Sequence, residues 1–134
     1  DPIYRFADTR GLALISHTGS EATCPPRLFA NVAARFPNAR FVIGHSGNIE
    51  PHRSEAIAVA GAHRNVYLET CSTFRAPGVI EKLVAGADAA RVLFGSDIPL
   101  MDPRPQLGKI LTADISHDDK RQILGDNARR LLHL

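Results

Sequence analysis

Four short apolar segments of this 134-residue sequence each run into polar side chains of the kind that bind metal ions or transfer protons. The polar strings that follow them are Ser16-His17-Thr18-Gly19, Gly44-His45-Ser46-Gly47, Glu69-Thr70-Cys71 and Gly95-Ser96-Asp97-Ile98-Pro99. Neutral imidazole and carboxylate are common ligands of zinc and similar divalent ions. His17 and Asp97 therefore offer two ligands for a metal that would acidify a bound water to a pKa of about 7. A further histidine, His45, suits the orientation of that water or the transfer of its proton.

The elements that must position these side chains are short strands alternating with helices. Apolar, β-branched or aromatic runs at residues 12–15, 41–43, 66–68 and 92–94 predict four strands covered on both faces. Helical spacing between them predicts helices at Leu28, Val32 and Phe36, at residues 55–62, and at Val79, Leu83 and Val84. The strand centres lie roughly 26 residues apart, one strand-plus-helix unit each, so we predict an α/β fold with a parallel sheet. An open doubly wound sheet and a barrel both fit, and both place the binding face at the carboxyl ends of the strands.

Alternation along each strand predicts which side chains share a face with the candidate site. The site face is expected to carry Ala13, Ile15 and His17; Phe41, Ile43 and His45; Tyr67, Glu69 and Cys71; and Leu93, Gly95 and Asp97. The opposite face, packed on helices, is expected to carry Leu12, Leu14, Val42, Val66, Leu68, Val92 and Phe94.

After the fourth strand, residues 102–105 predict a loop interrupted by two prolines, followed by helices only. Ser116 is a predicted N-cap with acidic residues in the first turn that follows it. Asp126 or Asn127 is predicted to cap a closing helix.

The composition of the sequence excludes several classes of function. With 44% hydrophobic and 22% charged residues, we expect one domain over residues 1–134. A net charge of +2 without a basic stripe argues against nucleic acid as a partner. No apolar run approaches the roughly 20 residues that span a bilayer, so no membrane association is expected. Two cysteines outside any CxxC pattern predict neither a disulfide framework nor a zinc ribbon, and we expect the reducing cytoplasm as the compartment.

The strings LISHTG, RFPNARFVIGHSG, NVYLET, RVLFGSDIPL and ILGDNARRLL resemble the second half of the amidohydrolase-related family that includes aminocarboxymuconate-semialdehyde decarboxylase. RVLFGSDIPL is the most specific of them, and the resemblance covers nearly the whole chain. It implies a (β/α)₈ barrel, in which the residues matching His17 and Asp97 ligate the metal and the one matching His45 acts on water or substrate.

The family also takes two metal ligands from an HxH motif on its first strand, and this sequence contains no HxH. A complete barrel of this kind has about 250 residues. The resemblance therefore implies a partial barrel, its C-terminal half with strands five to eight. Such a half-barrel would expose sheet edges and an apolar inner face, which favour a homo-oligomer or association with a missing N-terminal half.

Three further residues carry weaker expectations. Glu69 is read equally as a carboxylate supporting the metal site from behind and as an ordinary strand-end acid. Arg75 is a candidate for binding a substrate carboxylate, although a solvated loop arginine is the commoner case. Cys71 is interpreted as a small packed residue.

The resulting functional prediction is a metal-dependent hydrolase. A divalent ion, zinc foremost and manganese or another ion as the alternative, would activate water against a small carboxyl-derivative, amide or lactone substrate. Asp97 serves as ligand and proton acceptor, His17 as ligand and His45 as acid–base partner. Two alternatives remain open: non-oxidative decarboxylation on the same scaffold, and a half-barrel fragment without catalytic activity.

Overall fold

The computed structural model describes residues 1–19, 23–71 and 76–134 and contains a four-stranded parallel sheet with helices. The strands are β1 (Ala13–His17), β2 (Arg40–Gly44), β3 (Val66–Glu69) and β4 (Val92–Leu93). The helices are α1 (Pro2–Arg10), α2 (Leu28–Arg35), α3 (His52–Ala62), α4 (Val79–Ala87), α5 (Pro103–Thr112), α6 (His117–Arg121) and α7 (Asn127–Leu132). The predicted α/β fold with a parallel sheet is confirmed.

The four strands lie side by side in chain order, and every pair is parallel. The register aligns Ile15 with Val42 and Val42 with Tyr67, so these three side chains share one face of the sheet. Because parallel strands end together, the residues that follow β1 to β4 meet at one edge of the sheet.

Two apolar clusters flank the sheet. The larger lies between the sheet and helices α1 to α5, and its fully buried strand residues are Phe41, Ile43, Val66, Leu68 and Val92. The smaller, on the other face, is built from Val42, Leu93 and Leu131, with Ala13 and Tyr67 packed against it. The exposed fraction of Ile15 on this second face is 69%. Within the part of the chain that the structure describes, the inner face is thus covered by this small cluster at Val42 and Leu93 and open at Ile15.

The face predicted for β2 is wrong. Phe41 and Ile43 face the helices, and Val42 faces the inner cluster. The alternation was projected from His45 backwards, but His45 lies beyond the strand, where its φ of 64° departs from extended geometry. Side chains alternate only while the backbone stays extended, so His45 reaches the inner side by a turn.

The C-terminal helices also differ from expectation. Residues 103–105 belong to α5 and not to a loop, because Pro103 occupies the first helical turn, where a missing N–H is harmless, and Asp102 caps the helix. Ser116 is the N-cap of α6, as predicted. Asp126 makes no cap hydrogen bond: a π-helical turn, Gln122–Asp126, runs directly into α7. Among the described residues, no helix combines the length and apolarity needed to cross a bilayer.

Candidate active site

A cavity of about 480 Å³ opens at the carboxyl ends of the strands, and the candidate site residues line it. These are His17, His45, Glu69, Cys71 and Asp97. A larger hollow, of about 690 Å³, opens at the opposite end of the strands and is lined by Arg40, His63 and Arg64 but, among the described lining residues, by no carboxylate. Acid–base and ligand chemistry therefore concentrate at the carboxyl ends, although the larger volume lies elsewhere.

His45 is placed by a tight turn that follows β2. Its φ of 64° and the φ of 44° at Ser46 are left-handed, a conformation that L side chains rarely adopt. The turn is held from two sides: the Ser46 hydroxyl donates to the Glu69 carbonyl at 2.7 Å, and the Gly47 N–H donates to Thr18 Oγ1 at 2.9 Å. A side chain at Gly47 would collide with the backbone of His52, so this position requires glycine. The GHSG string is thus a turn that aims a histidine into the cavity.

The hydrogen bonds of His45 determine its tautomer. Its Nδ1 lies 2.7 Å from the carbonyl oxygen of Cys71. A carbonyl oxygen only accepts, so Nδ1 carries the proton and the lone pair of the neutral ring is on Nε2. That arrangement leaves one ring nitrogen available for a metal ion or for a proton.

The buried carboxylate of Glu69 stabilises the turn that carries His45. The residue is 7% exposed, and its carboxylate accepts the backbone N–H of His45 at 2.9 Å and the backbone N–H of Cys71. Burial raises the pKa of this carboxyl, opposed by the two backbone hydrogen bonds. Gly95 provides the space, because a Cβ there would lie 2.5 Å from Cδ of Glu69. The structure thus places Glu69 behind His45 and away from open solvent.

Asp97 follows β4 with a φ of 57°, a left-handed conformation that aspartate tolerates better than most residues. A ring nitrogen of His45, Sγ of Cys71 and a carboxylate oxygen of Asp97 all lie within 4.8 Å of one another. These three donors come from the ends of three neighbouring strands.

His17 ends β1 and stands beside His45. Their ring centroids are 4.9 Å apart, with the planes inclined at 69°. The structure therefore brings the three residues predicted from sequence to one cavity, with His45 between His17 and Asp97. The metal-ligand roles of His17 and Asp97 remain predictions, as do the catalytic roles of His45 and Asp97.

Cys71 has a more central place than the sequence indicated. It is 1% exposed, and burial, followed by the charges of Glu69 and Asp97, raises the pKa of its thiol to about 11. Strand alternation predicted that Cys71 shares a face with Glu69. It could not predict that the thiol lies near His45 and Asp97, because these residues follow other strands. Arg75, the candidate for binding substrate, lies outside the described residues.

Comparisons with known proteins identify the family and the fold of this chain. A sequence model of the family described as "Amidohydrolase" matches residues 1–134. An uncharacterized TIM-barrel protein from Bordetella bronchiseptica superimposes with a TM-score of 0.81 at 30% identity, covering 98% of this chain and 49% of that one. The comparison with curated proteins returned no match.

Two decarboxylases are among the other solved structures with this fold. The 5-carboxyvanillate decarboxylase LigW from Sphingomonas paucimobilis gives a TM-score of 0.72 at 18% identity, over 99% of this chain and 52% of that one. A dihydroxybenzoic acid decarboxylase from Polaromonas sp. JS666, with bound manganese and 2-nitroresorcinol, gives a TM-score of 0.60 at 19% identity. The match covers 78% of this chain and 37% of that one. The chain thus spans about half the length, or less, of these structures.

Proposed function

The chain belongs to the amidohydrolase family, and on this premise we propose that it forms the C-terminal half, strands five to eight, of a (β/α)₈ barrel that acts as a metal-dependent hydrolase. The fold of the TIM-barrel protein of which it covers 49% supports the barrel. The exposure of Ile15 supports a partial one, because this side chain stands where a closed barrel packs its interior. The observation that carries the proposal is the convergence of His17, His45 and Asp97 on one cavity at the carboxyl ends of the strands.

The donor set fits a divalent ion. His17 and Asp97 would hold it, and imidazole and carboxylate are ligands of zinc in hydrolytic enzymes. The manganese bound to the Polaromonas enzyme supports a divalent ion on this scaffold and makes manganese the first competitor. When bound, such an ion acts as a Lewis acid that polarises a substrate carbonyl and acidifies water.

His45 handles the proton. Because its Nδ1 is committed to the Cys71 carbonyl, Nε2 accepts a proton as the nucleophile forms and returns it to the leaving group. Asp97, whose carboxylate lies within 4.8 Å of that ring, stabilises the imidazolium that results. We assign Glu69 a positioning role: it holds the backbone of His45 and places a carboxylate 3.8 Å from Nδ1.

Non-oxidative decarboxylation is the second candidate, and the fold shared with two decarboxylases favours it. The substrate would then be a small aromatic carboxylate, and Arg75 is the residue we assign to its carboxylate. The same His45 would protonate the ring carbon from which carbon dioxide leaves. A half-barrel without activity is the third candidate, favoured by the exposure of Ile15 on the inner face.

One set of variants tests these proposals. His17→Ala, His45→Ala and Asp97→Ala are compared with His117→Ala, an exposed position at the start of α6. We expect His17→Ala and Asp97→Ala to lose stoichiometric zinc, His45→Ala to keep the metal but lose turnover, and the control to keep both. Opening of lactones and amides supports the hydrolase, and release of carbon dioxide from hydroxybenzoates supports the decarboxylase. Full metal and full activity in both His17→Ala and Asp97→Ala would refute the site.

The half-barrel alternative has its own measurement. Native mass spectrometry of the purified protein, combined with metal analysis, reports whether it exists as a monomer, a dimer or a complex. A dimer or complex that binds no metal and turns over none of these substrates would favour the inactive half-barrel.

A further inference from the structure

We propose that, in the protein stripped of its catalytic ion, His45, Cys71 and Asp97 form a binding site for a soft divalent ion of the class of cadmium. Its ligand set differs from the His17 and Asp97 pair that we propose as ligands of the catalytic ion, because it excludes His17 and includes a thiol. The three donor atoms lie within 4.8 Å of one another.

Ligand chemistry gives the site its preference. Nitrogen, sulfur and oxygen donors together suit zinc and cadmium, whereas manganese and magnesium favour oxygen ligands. A second sulfur stands nearby, since Sδ of Met101 lies 3.9 Å from Sγ of Cys71. Thioether sulfur is also a soft donor. The surroundings of Cys71 therefore favour a thiophilic ion.

The geometry needs little movement. Tetrahedral zinc with bonds of about 2.0 to 2.3 Å separates its ligand atoms by roughly 3.3 to 3.8 Å. Separations of up to 4.8 Å must therefore close by about 1 Å. The backbone of Cys71 is held by two hydrogen bonds: its N–H donates to the Glu69 carboxylate, and its carbonyl oxygen accepts from Nδ1 of His45. Side-chain rotation of Asp97 would supply the closure.

The orientation of His45 suits a ligand. Metal-binding histidines usually donate their second ring N–H to a backbone carbonyl or a carboxylate. His45 donates Nδ1–H to the carbonyl of Cys71, which is itself a member of the site. One hydrogen bond therefore orients two of the three ligands.

The site shares two residues with the proposed catalytic group. An ion held here occupies the lone pair of His45 and the carboxylate of Asp97, while the thiol of Cys71 gives its proton to solvent as the sulfur–metal bond forms. We therefore expect thiophilic ions to inhibit turnover. Ion binding itself is independent of the proposed activity and is measured separately from it.

Cadmium is the probe, because its bond to thiolate has an ultraviolet charge-transfer absorption that its bonds to nitrogen and oxygen lack. Cadmium is titrated into the metal-stripped protein under a phosphine reductant. The expected result is a band that saturates at one ion per chain, disappears in Cys71→Ser and remains in Cys24→Ser, which removes the other cysteine of the chain. Persistence of the band in Cys71→Ser, or its loss in Cys24→Ser alone, would overturn the proposal.

Two further variants keep the test decisive if Cys71→Ser fails to fold. Asp97→Asn should retain the band but weaken cadmium binding about tenfold or more, and unchanged affinity would count against the site. His17→Ala should retain both the band and the affinity. If His17→Ala loses cadmium, the ion occupies the His17 and Asp97 pair instead and this inference fails. If His17→Ala keeps full hydrolytic activity, the proposed function fails while the cadmium site stands.

Discussion

The contact between Gly95 and Glu69 yields the sharpest prediction about this site. A methyl group at residue 95 would lie 2.5 Å from Cδ and 3.0 Å from Cγ of Glu69. The carboxylate would be displaced from the N–H groups of His45 and Cys71, to which it is bonded. Overpacking costs about 1 to 3 kcal/mol, and leaving buried donors unpaired costs about 1 to 3 kcal/mol each. We expect Gly95→Ala to lower the free energy of unfolding by about 3 kcal/mol or more.

Urea unfolding followed by far-ultraviolet circular dichroism measures this change. Gly108→Ala is the matched control, because a Cβ at that helical position meets nothing within 4 Å. It should be neutral or stabilising by up to about 1 kcal/mol. In a Glu69→Ala background the methyl group has room, so Gly95→Ala should become nearly silent. An equal loss in both backgrounds, or a loss no larger than that of Gly108→Ala, would refute the explanation.

Three further predictions follow from individual hydrogen bonds. Glu69→Gln should lower kcat by about tenfold with little change in KM and should shift the pH–rate profile, because the two N–H groups are bonded to different oxygens of Glu69 and an amide has only one oxygen. An unchanged profile would contradict the positioning role. Ser54→Ala should raise the pKa of Glu50, because the Ser54 hydroxyl donates to this carboxylate and holds its pKa below its usual range. The stability that the carboxylate contributes above its unfolded pKa, and loses as pH falls through its folded pKa, should then shrink. NMR titration of Glu50 measures the change, and an unshifted carboxyl would show that the hydroxyl bond is absent. Asn127→Ala should lower the free energy of unfolding by about 2 kcal/mol, since its amide donates to two buried carbonyls; a urea midpoint equal to wild type would be inconsistent with that contact.

Much of the fold could be predicted because its signals are local. The strands and helices follow from apolar periodicity, and the Ser116 cap from a short polar side chain before an acidic turn. The prediction of a loop at residues 102–105 was wrong because proline is compatible with the first turn of a helix. Whether a proline interrupts a helix or begins one depends on where the helix starts. Closure into a barrel is not encoded in such periodicity, since open sheets share it.

The candidate site divides in the same way. Sequence by itself determined which residue types follow each strand, and parallel strands then required His17, His45 and Asp97 to meet at one edge. Only the tertiary structure decided that a left-handed turn carries His45 to the inner face, that Gly95 makes room for Glu69, and that Cys71 stands beside Asp97. The reason is physical: alternation and spacing act along one chain segment, whereas these contacts join side chains from different strands whose distances depend on register and on the turns that end each strand.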